Sequence, residues 1–160
     1  MNVEIKLGKR EDIATAYKLM LEAFEEYRYL EIPSSALNES ETSIENSFMN
    51  GAEKILLCFL NGTPVGTLRF STKLQSLYFS RVSVPPYARG KGLAKAMLLW
   101  LENYAIKDGK TKIECRVRMS LPKNIRLYES IGYKLHKEET VTNPNGFQVK
   151  TVIMEKLLIK

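Results

Sequence analysis

Val3, Ile5 and Leu7 alternate with Glu4 and Lys6, the two-residue period of a short strand, and acidic Glu11 and Asp12 follow where a helix would start. From there Ile13, Ala16, Tyr17, Met20, Phe24 and Tyr27 recur at helical spacing, which predicts a helix to about Tyr27 with one face packed on a sheet. Residues 28 to 40, with Pro33-Ser34-Ser35, read as a loop, and a second short helix is expected from Glu41 to Phe48. Lys54 to Leu60 and Pro64 to Ser71 are β-prone runs joined by Asn61-Gly62-Thr63, a hairpin signal. A further strand, Leu77 to Val84, stops at Pro85-Pro86, because proline cannot donate to a strand ladder.

The next helix, about Gly90 to Lys107, presents Leu93, Met97, Trp100, Leu101 and Tyr104 on one face, with Gly109 just past its end and a strand from Thr111 to Arg118 beyond. Strand, helix, strand in that order implies a right-handed crossover and a parallel pair. Pro122 sits in the first turn of a short helix that Gly132 ends, and strands near Tyr133 to Val141 and Phe147 to Leu157 should pair antiparallel around Asn143-Pro144-Asn145-Gly146. The sum is an α/β (α+β) fold: a mixed, mostly antiparallel sheet of roughly six to seven strands with a central parallel pair, flanked by about four helices. The antiparallel first half argues against a doubly wound Rossmann sheet. No repeat, low-complexity tract or linker divides the sequence, so one domain over residues 1–160 is expected.

Composition narrows the class. Of 160 residues 44% are hydrophobic and 26% charged, so intrinsic disorder and fibrous repeats do not fit. Met1 to Lys6 lacks the basic patch and apolar run of a signal peptide, and no uncharged stretch approaches the ~20 apolar residues of a membrane span. A cytoplasmic protein with no membrane partner is the expectation. Cys58 and Cys115 lie far apart in apolar runs, without C-x-x-C spacing or a nearby histidine, and read as reduced core thiols; no metal is expected. Lys and Arg number 24 against 18 Asp and Glu, a net +6 that leaves an anionic ligand open. The basic residues form no block and have no interleaved aromatic residues, so nucleic acid is not the expected partner.

The segment richest in chemistry is Val82-Ser83-Val84-Pro85-Pro86-Tyr87-Ala88-Arg89-Gly90-Lys91-Gly92-Leu93-Ala94, a strand running through a basic, glycine-bearing turn into a helix start. Unpaired amides there face outward with the positive end of the helix dipole, Gly90 and Gly92 let a diphosphate approach, and Arg89 and Lys91 add charge. Glycines at such a turn also satisfy backbone geometry alone. The G-K-[ST] of a Walker A loop is missing, and Lys95 stands where a dinucleotide fingerprint needs its third glycine.

Arg89-Gly90-Lys91-Gly92-Leu93-Ala94 resembles the R/Q-x-x-G-x-G/A signature of the GNAT N-acetyltransferase superfamily, with Val84-x-Pro86 ahead of it at the usual spacing. Asn124-Ile125-Arg126-Leu127-Tyr128-Glu129-Ser130-Ile131-Gly132-Tyr133 is similar to that family's N-x-x-x-x-Y-x-x-x-G-[FY] segment, with the Asn-to-Tyr spacing one residue shorter. The element order fits the same fold over nearly the whole chain. The resemblance implies acetyl-CoA or another acyl-CoA as co-substrate, with no metal, and a small-molecule or peptide amine as acceptor. It implies pyrophosphate on Arg89, Gly90, Lys91, Gly92, Leu93 and Ala94, and pantetheine paired like a strand with Val82 and Val84. It further implies Asn124 against the pantetheine or acetyl region and Tyr128 near the thioester sulfur.

Asn124 and Tyr128, four apart, share one face of the short helix and can reach one ligand together. Amine attack on a thioester develops an oxyanion and expels a thiolate, so amide donors and a proton source are needed, and a phenol with an unperturbed pKa of ~10 suits the thiolate. The alternative role for Tyr128 is to fill space beside Leu127 and Ile131. No carboxylate or histidine occurs in Leu77 to Val82, where some relatives place a Glu as base; Glu25, Glu26 and Glu31 are the substitutes, acting through water. Glu25, Glu26, Tyr27, Tyr29, Glu31 and Pro33-Ser34-Ser35 form an acidic, aromatic surface suited to a cationic amine. His136 has no assigned role. A non-catalytic acyl-CoA-binding or sensing module on the same fold is the alternative, and exposed edge strands leave a homodimer open.

Overall fold

Alternation and helical periodicity along the chain resolve into seven strands and four α-helices in a computed structural model that describes residues 1–158. The strands are β1 (Val3–Leu7), β2 (Lys54–Leu60), β3 (Thr63–Thr72), β4 (Ser76–Ser83), β5 (Lys112–Arg118), β6 (Lys134–Thr142) and β7 (Gln148–Leu157). The helices are α1 (Ile13–Phe24), α2 (Glu41–Met49), α3 (Leu93–Lys107) and α4 (Pro122–Ser130). The strands form one mixed sheet, as expected from the sequence, and hydrogen bonding orders them β1-β2-β3-β4-β5-β7-β6. No helix among the described residues is long and apolar enough to cross a membrane.

The chain divides into two compact units, Met1–Ser71 with Phe79–Leu101 and Thr72–Tyr78 with Glu102 onward, so that the division falls within β4 and within α3. In the first unit β1 and β3 flank β2 antiparallel. Asn61 and Gly62 both take positive φ, +51° and +84°, which is the twist a two-residue hairpin requires and the reason this pair links β2 to β3. Ile13, Ala16, Leu19 and Met20 of α1 pack with Ile44 of α2, Ala36, and Ile55 and Leu57 of β2 in one apolar cluster. The α1 stripe therefore faces the core as its spacing predicts, but the helix stops at Phe24 and tightens into a 3-10 turn over Glu25–Tyr29. Another 3-10 turn, Ser35–Asn38, occupies the expected loop, capped by Ser34 Oγ accepting from the Ala36 amide.

In the second unit the first residues of β4 run parallel to β5, with Ser76, Leu77 and Tyr78 opposite Lys112, Ile113 and Glu114. β5 and β6 both pair antiparallel with β7. Ile113, Cys115 and Val117 alternate into the core of this unit while Lys112, Glu114 and Arg116 are half-buried on the other face. The β6–β7 register skips at His136, whose Nδ1 lies 3.3 Å from Glu155. Both cysteines are buried and unbridged.

Leu57 is fully buried in the cluster beneath α1. Leu57→Ala should cost about 3 kcal/mol through lost transfer energy and a residual cavity, read as a lowered denaturant midpoint with an unchanged slope.

Candidate active site

The turn between β4 and α3 is built from residues that refuse regular structure. β4 ends at Ser83, Pro85 and Pro86 forbid its continuation, and a 3-10 turn, Pro86–Ala88, follows. Gly90 and Gly92 then take φ of +80° and +73°, and a Cβ built on either would meet nothing within 4 Å. Space is open above both glycines; the left-handed backbone is what demands them. These two positions delay α3 to Leu93 rather than the expected Gly90, since a right-handed helix cannot include them. The first helical bond runs from the Ala96 amide to the Gly92 carbonyl at 3.0 Å. By helix geometry the amides of Leu93, Ala94 and Lys95 have no intrahelical acceptor and point out of the helix start. Buried Ala88 and Leu93 pin the turn on both sides, while Lys91 is exposed.

Arg89 is committed elsewhere. Its Nε donates to the Val84 carbonyl at 2.8 Å, Nη1 to Glu26 at 2.9 Å and Nη2 to the Ala23 carbonyl at 3.1 Å. The guanidinium thus braces the turn against the C-terminal end of α1, whose last carbonyls attract cations. Tyr87 adds a second tie, its hydroxyl donating to Glu22 at 3.1 Å; burial and that carboxylate together push the phenol up. Val82, near the end of β4, and Val84, just past it, are half-buried, and the Val84 carbonyl serves Arg89.

A buried ionic cluster that the sequence reading missed lies beside β4. Arg69, on β3 and only 7% exposed, donates from Nη2 to Glu39 at 2.6 Å and lies 3.3 Å from Glu53. The other Glu39 oxygen accepts from Arg81 Nε at 2.7 Å, and Arg81 Nη2 also donates to Ser35 Oγ at 3.2 Å. Burial alone would raise the Glu39 carboxyl, but the two guanidiniums outweigh it and hold it below the ordinary value. A carboxylate held this way is a poor base. The only hint in the sequence was an arginine within the apolar strand Val65 to Phe70; its partners are 16 and 30 residues away in the chain (69 − 53 and 69 − 39). Of the expected bases, Glu25 is lowered by its hydrogen bonds to Arg28, and Glu26 faces Arg89.

In the second unit, Pro122 opens α4 and Leu121 accepts from the Asn124 amide at 3.1 Å. Asn124 is half-buried and Tyr128, one turn on, is 8% exposed. The Tyr128 ring packs 5.8 Å from Tyr133 at an interplanar angle of 59°. The Tyr133 amide returns to the Tyr128 carbonyl at 3.0 Å, and burial pushes the Tyr133 phenol far up, so Tyr133 is no acid. Lys156 closes the end of α4, donating to the Ile131 carbonyl at 2.9 Å while paired with Glu102. Asn124 and Tyr128 thus share a helix face as their spacing predicts.

The model of the acetyltransferase (GNAT) family matches residues 15–133. An acetyltransferase of Yersinia pestis (strain Pestoides F) is 31% identical over 99 residues, 61% of this chain and 69% of that protein. The fold is similar to that of the ribosomal-protein-S18-alanine N-acetyltransferase from Escherichia coli, with a TM-score of 0.79 at 20% identity over 99% of this chain and 96% of that one. It is equally similar to the PaiA N-acetyltransferase from Thermoplasma acidophilum solved in complex with coenzyme A, with a TM-score of 0.79 at 18% identity over 98% and 99% of the two chains.

Two outcomes test this geometry. Gly92→Ala should fold but lose about 1–2 kcal/mol, the cost of a Cβ in left-handed backbone, in a thermal melt. Because the folded Glu39 carboxyl is depressed, its contribution is present above the ordinary value of 4.5 and is lost as pH falls below it. The acid limb of the stability profile should therefore be shallower in Glu39→Gln, whose stability at neutral pH should be lower.

Proposed function

The chain belongs to the GNAT acetyltransferase family, and from that premise we propose that it is an N-acetyltransferase transferring the acetyl group of acetyl-CoA to a primary amine by direct attack on the thioester. The observation that carries this reading is the turn before α3: two open, left-handed glycines, outward amides at Leu93, Ala94 and Lys95, and an exposed Lys91. Such a turn fits a diphosphate, because the partial positive charge of the amides is fixed in place before the anion arrives. In this reading the turn from Arg89 to Ala94 holds the pyrophosphate, with Arg89 bracing it and Lys91 supplying the free charge. Val82 and Val84 offer backbone groups to the pantetheine arm.

Asn124 hydrogen-bonds the acyl-bearing end of the donor and Tyr128 gives its proton to the departing thiolate. As the amine nitrogen bonds to the acyl carbon, the carbon–sulfur bond breaks and the sulfur leaves with the phenolic proton; the surplus ammonium proton leaves through water. Glu31 receives that proton in preference to Glu25 and Glu26, since both of those face arginines. The acceptor is a cationic amine at the surface made by Tyr27, the 86% exposed Tyr29, and Glu31. The chain is one acyltransferase domain, and the protein works in the cytoplasm, without a metal.

Isothermal titration with acetyl-CoA, beside free CoA, NAD and ATP, tests the donor site: selective binding of the CoA species is expected, and a preference for NAD or ATP would sink the reading. Tyr128→Phe should lower kcat by about 10²–10⁴-fold, the usual span for a general acid, while acetyl-CoA binding is retained. Binding without turnover in the parent protein, across polyamines, aminoglycosides and peptide N-termini, would point instead to an acyl-CoA sensor.

A further inference from the structure

Arg81 stands at φ +56° inside β4. Asn61 is the other non-glycine residue at positive φ among the described residues, and it occupies a hairpin turn, where asparagine is at home. A long side chain in left-handed backbone within a strand persists only where its surroundings over-determine it. Here three bonds do so. Glu39 accepts from Nε at 2.7 Å, Ser35 Oγ accepts from Nη2 at 3.2 Å, and the Arg81 carbonyl accepts from the hydroxyl of fully buried Ser83 at 2.8 Å. Glu39 itself cannot swing away, because its second oxygen is held by buried Arg69 at 2.6 Å. Ser35 and Glu39 bracket the 3-10 turn Ser35–Asn38, so the clamp on the strand comes from a segment more than 40 residues earlier in the chain (81 − 39 = 42).

An inverted φ at one strand residue re-aims the amide and carbonyl of the residue that follows, as a bulge does. That residue is Val82. We propose that Glu39 is a positioning residue for acyl transfer, acting through Arg81 to hold the kinked end of β4 so that the backbone of Val82 and Val84 meets the acyl-CoA arm. The inference rests on the acetyl-CoA reading above. Arg69 fixes Glu39, Glu39 fixes Arg81, and Arg81 sets the strand.

The test is a double-mutant cycle read by acetyl-CoA titration, steady-state kinetics and thermal melts. Glu39→Gln should weaken acetyl-CoA binding by about tenfold, the scale of one charge-assisted hydrogen bond. Arg81→Gly should fold, since glycine accepts the φ freely, and should weaken binding by a similar factor because the strand end is no longer clamped. In the Arg81→Gly background, Glu39→Gln should cost no further affinity, yet still lower the melting temperature because Arg69 loses one of its two carboxylates. Equal loss of affinity from Glu39→Gln in both backgrounds would overturn the proposal, as would parent-like binding and kcat/KM in either single variant. Should Glu39→Gln fail to fold, Arg81→Gly decides alone, with parent-like binding overturning the idea. A parent protein that binds no acetyl-CoA at all is a separate result, which removes the donor reading and this inference with it.

Discussion

An anion can be held by backbone amides only if no side chain stands between them and it, and the proposed donor site places that constraint on residues 83–96. The chain must leave a strand, turn, and enter a helix within a few residues while keeping the first amides of the helix uncovered. Pro85 and Pro86 end β4 without leaving a donor behind, Gly90 and Gly92 make the left-handed turn without a Cβ, and Leu93 anchors the helix start in the core. The open face of the turn depends on what lies behind it. Arg89 donates to Val84, Glu26 and Ala23 and so braces the turn from behind.

The same unit tolerates buried charge beside β4 and gains rigidity from it. Moving Arg69 out of water is costly, and the cost is met only because Glu39 and Glu53 accompany it. Once paired, the cluster is hard to deform: removing Glu39 would leave buried Arg69 with Glu53 as its one carboxylate. Arg81 connects that stiffness to the strand. Its backbone sits in a conformation that arginine avoids, and the ionic cluster keeps it there.

Strand alternation and the helical stripes were legible because each depends on neighbours in sequence, and so was the sharing of one α4 face by Asn124 and Tyr128. The start of α3 was misplaced by three residues, from Gly90 to Leu93, because composition alone does not distinguish a glycine inside a first turn from one that holds φ near +75° ahead of it. The 3-10 turns at Glu25–Tyr29 and Ser35–Asn38 look in sequence like a helix end and a loop, since a tightened last turn leaves no periodic signature of its own. The Glu39, Arg69 and Arg81 cluster was invisible for a stronger reason. Its members are paired across 30 and 42 residues of chain, and each alone looks like ordinary surface charge.

That distribution bears on how the proposed chemistry divides between acid and base. The proposed acid is well defined: Tyr128 is buried on a helix whose start, end and aromatic neighbour are all fixed. Two carboxylates of the first unit are different, because arginines hold Glu25 and Glu39 in their charged form, and a carboxylate so stabilised has little drive to accept a proton. A site with a fixed acid and neutralised carboxylates does not need a strong base if water removes the proton from the attacking nitrogen after the bond to carbon has begun to form. On this reading the arginine pairing serves geometry rather than proton transfer, and the chain places its electrostatic resources in aiming the donor.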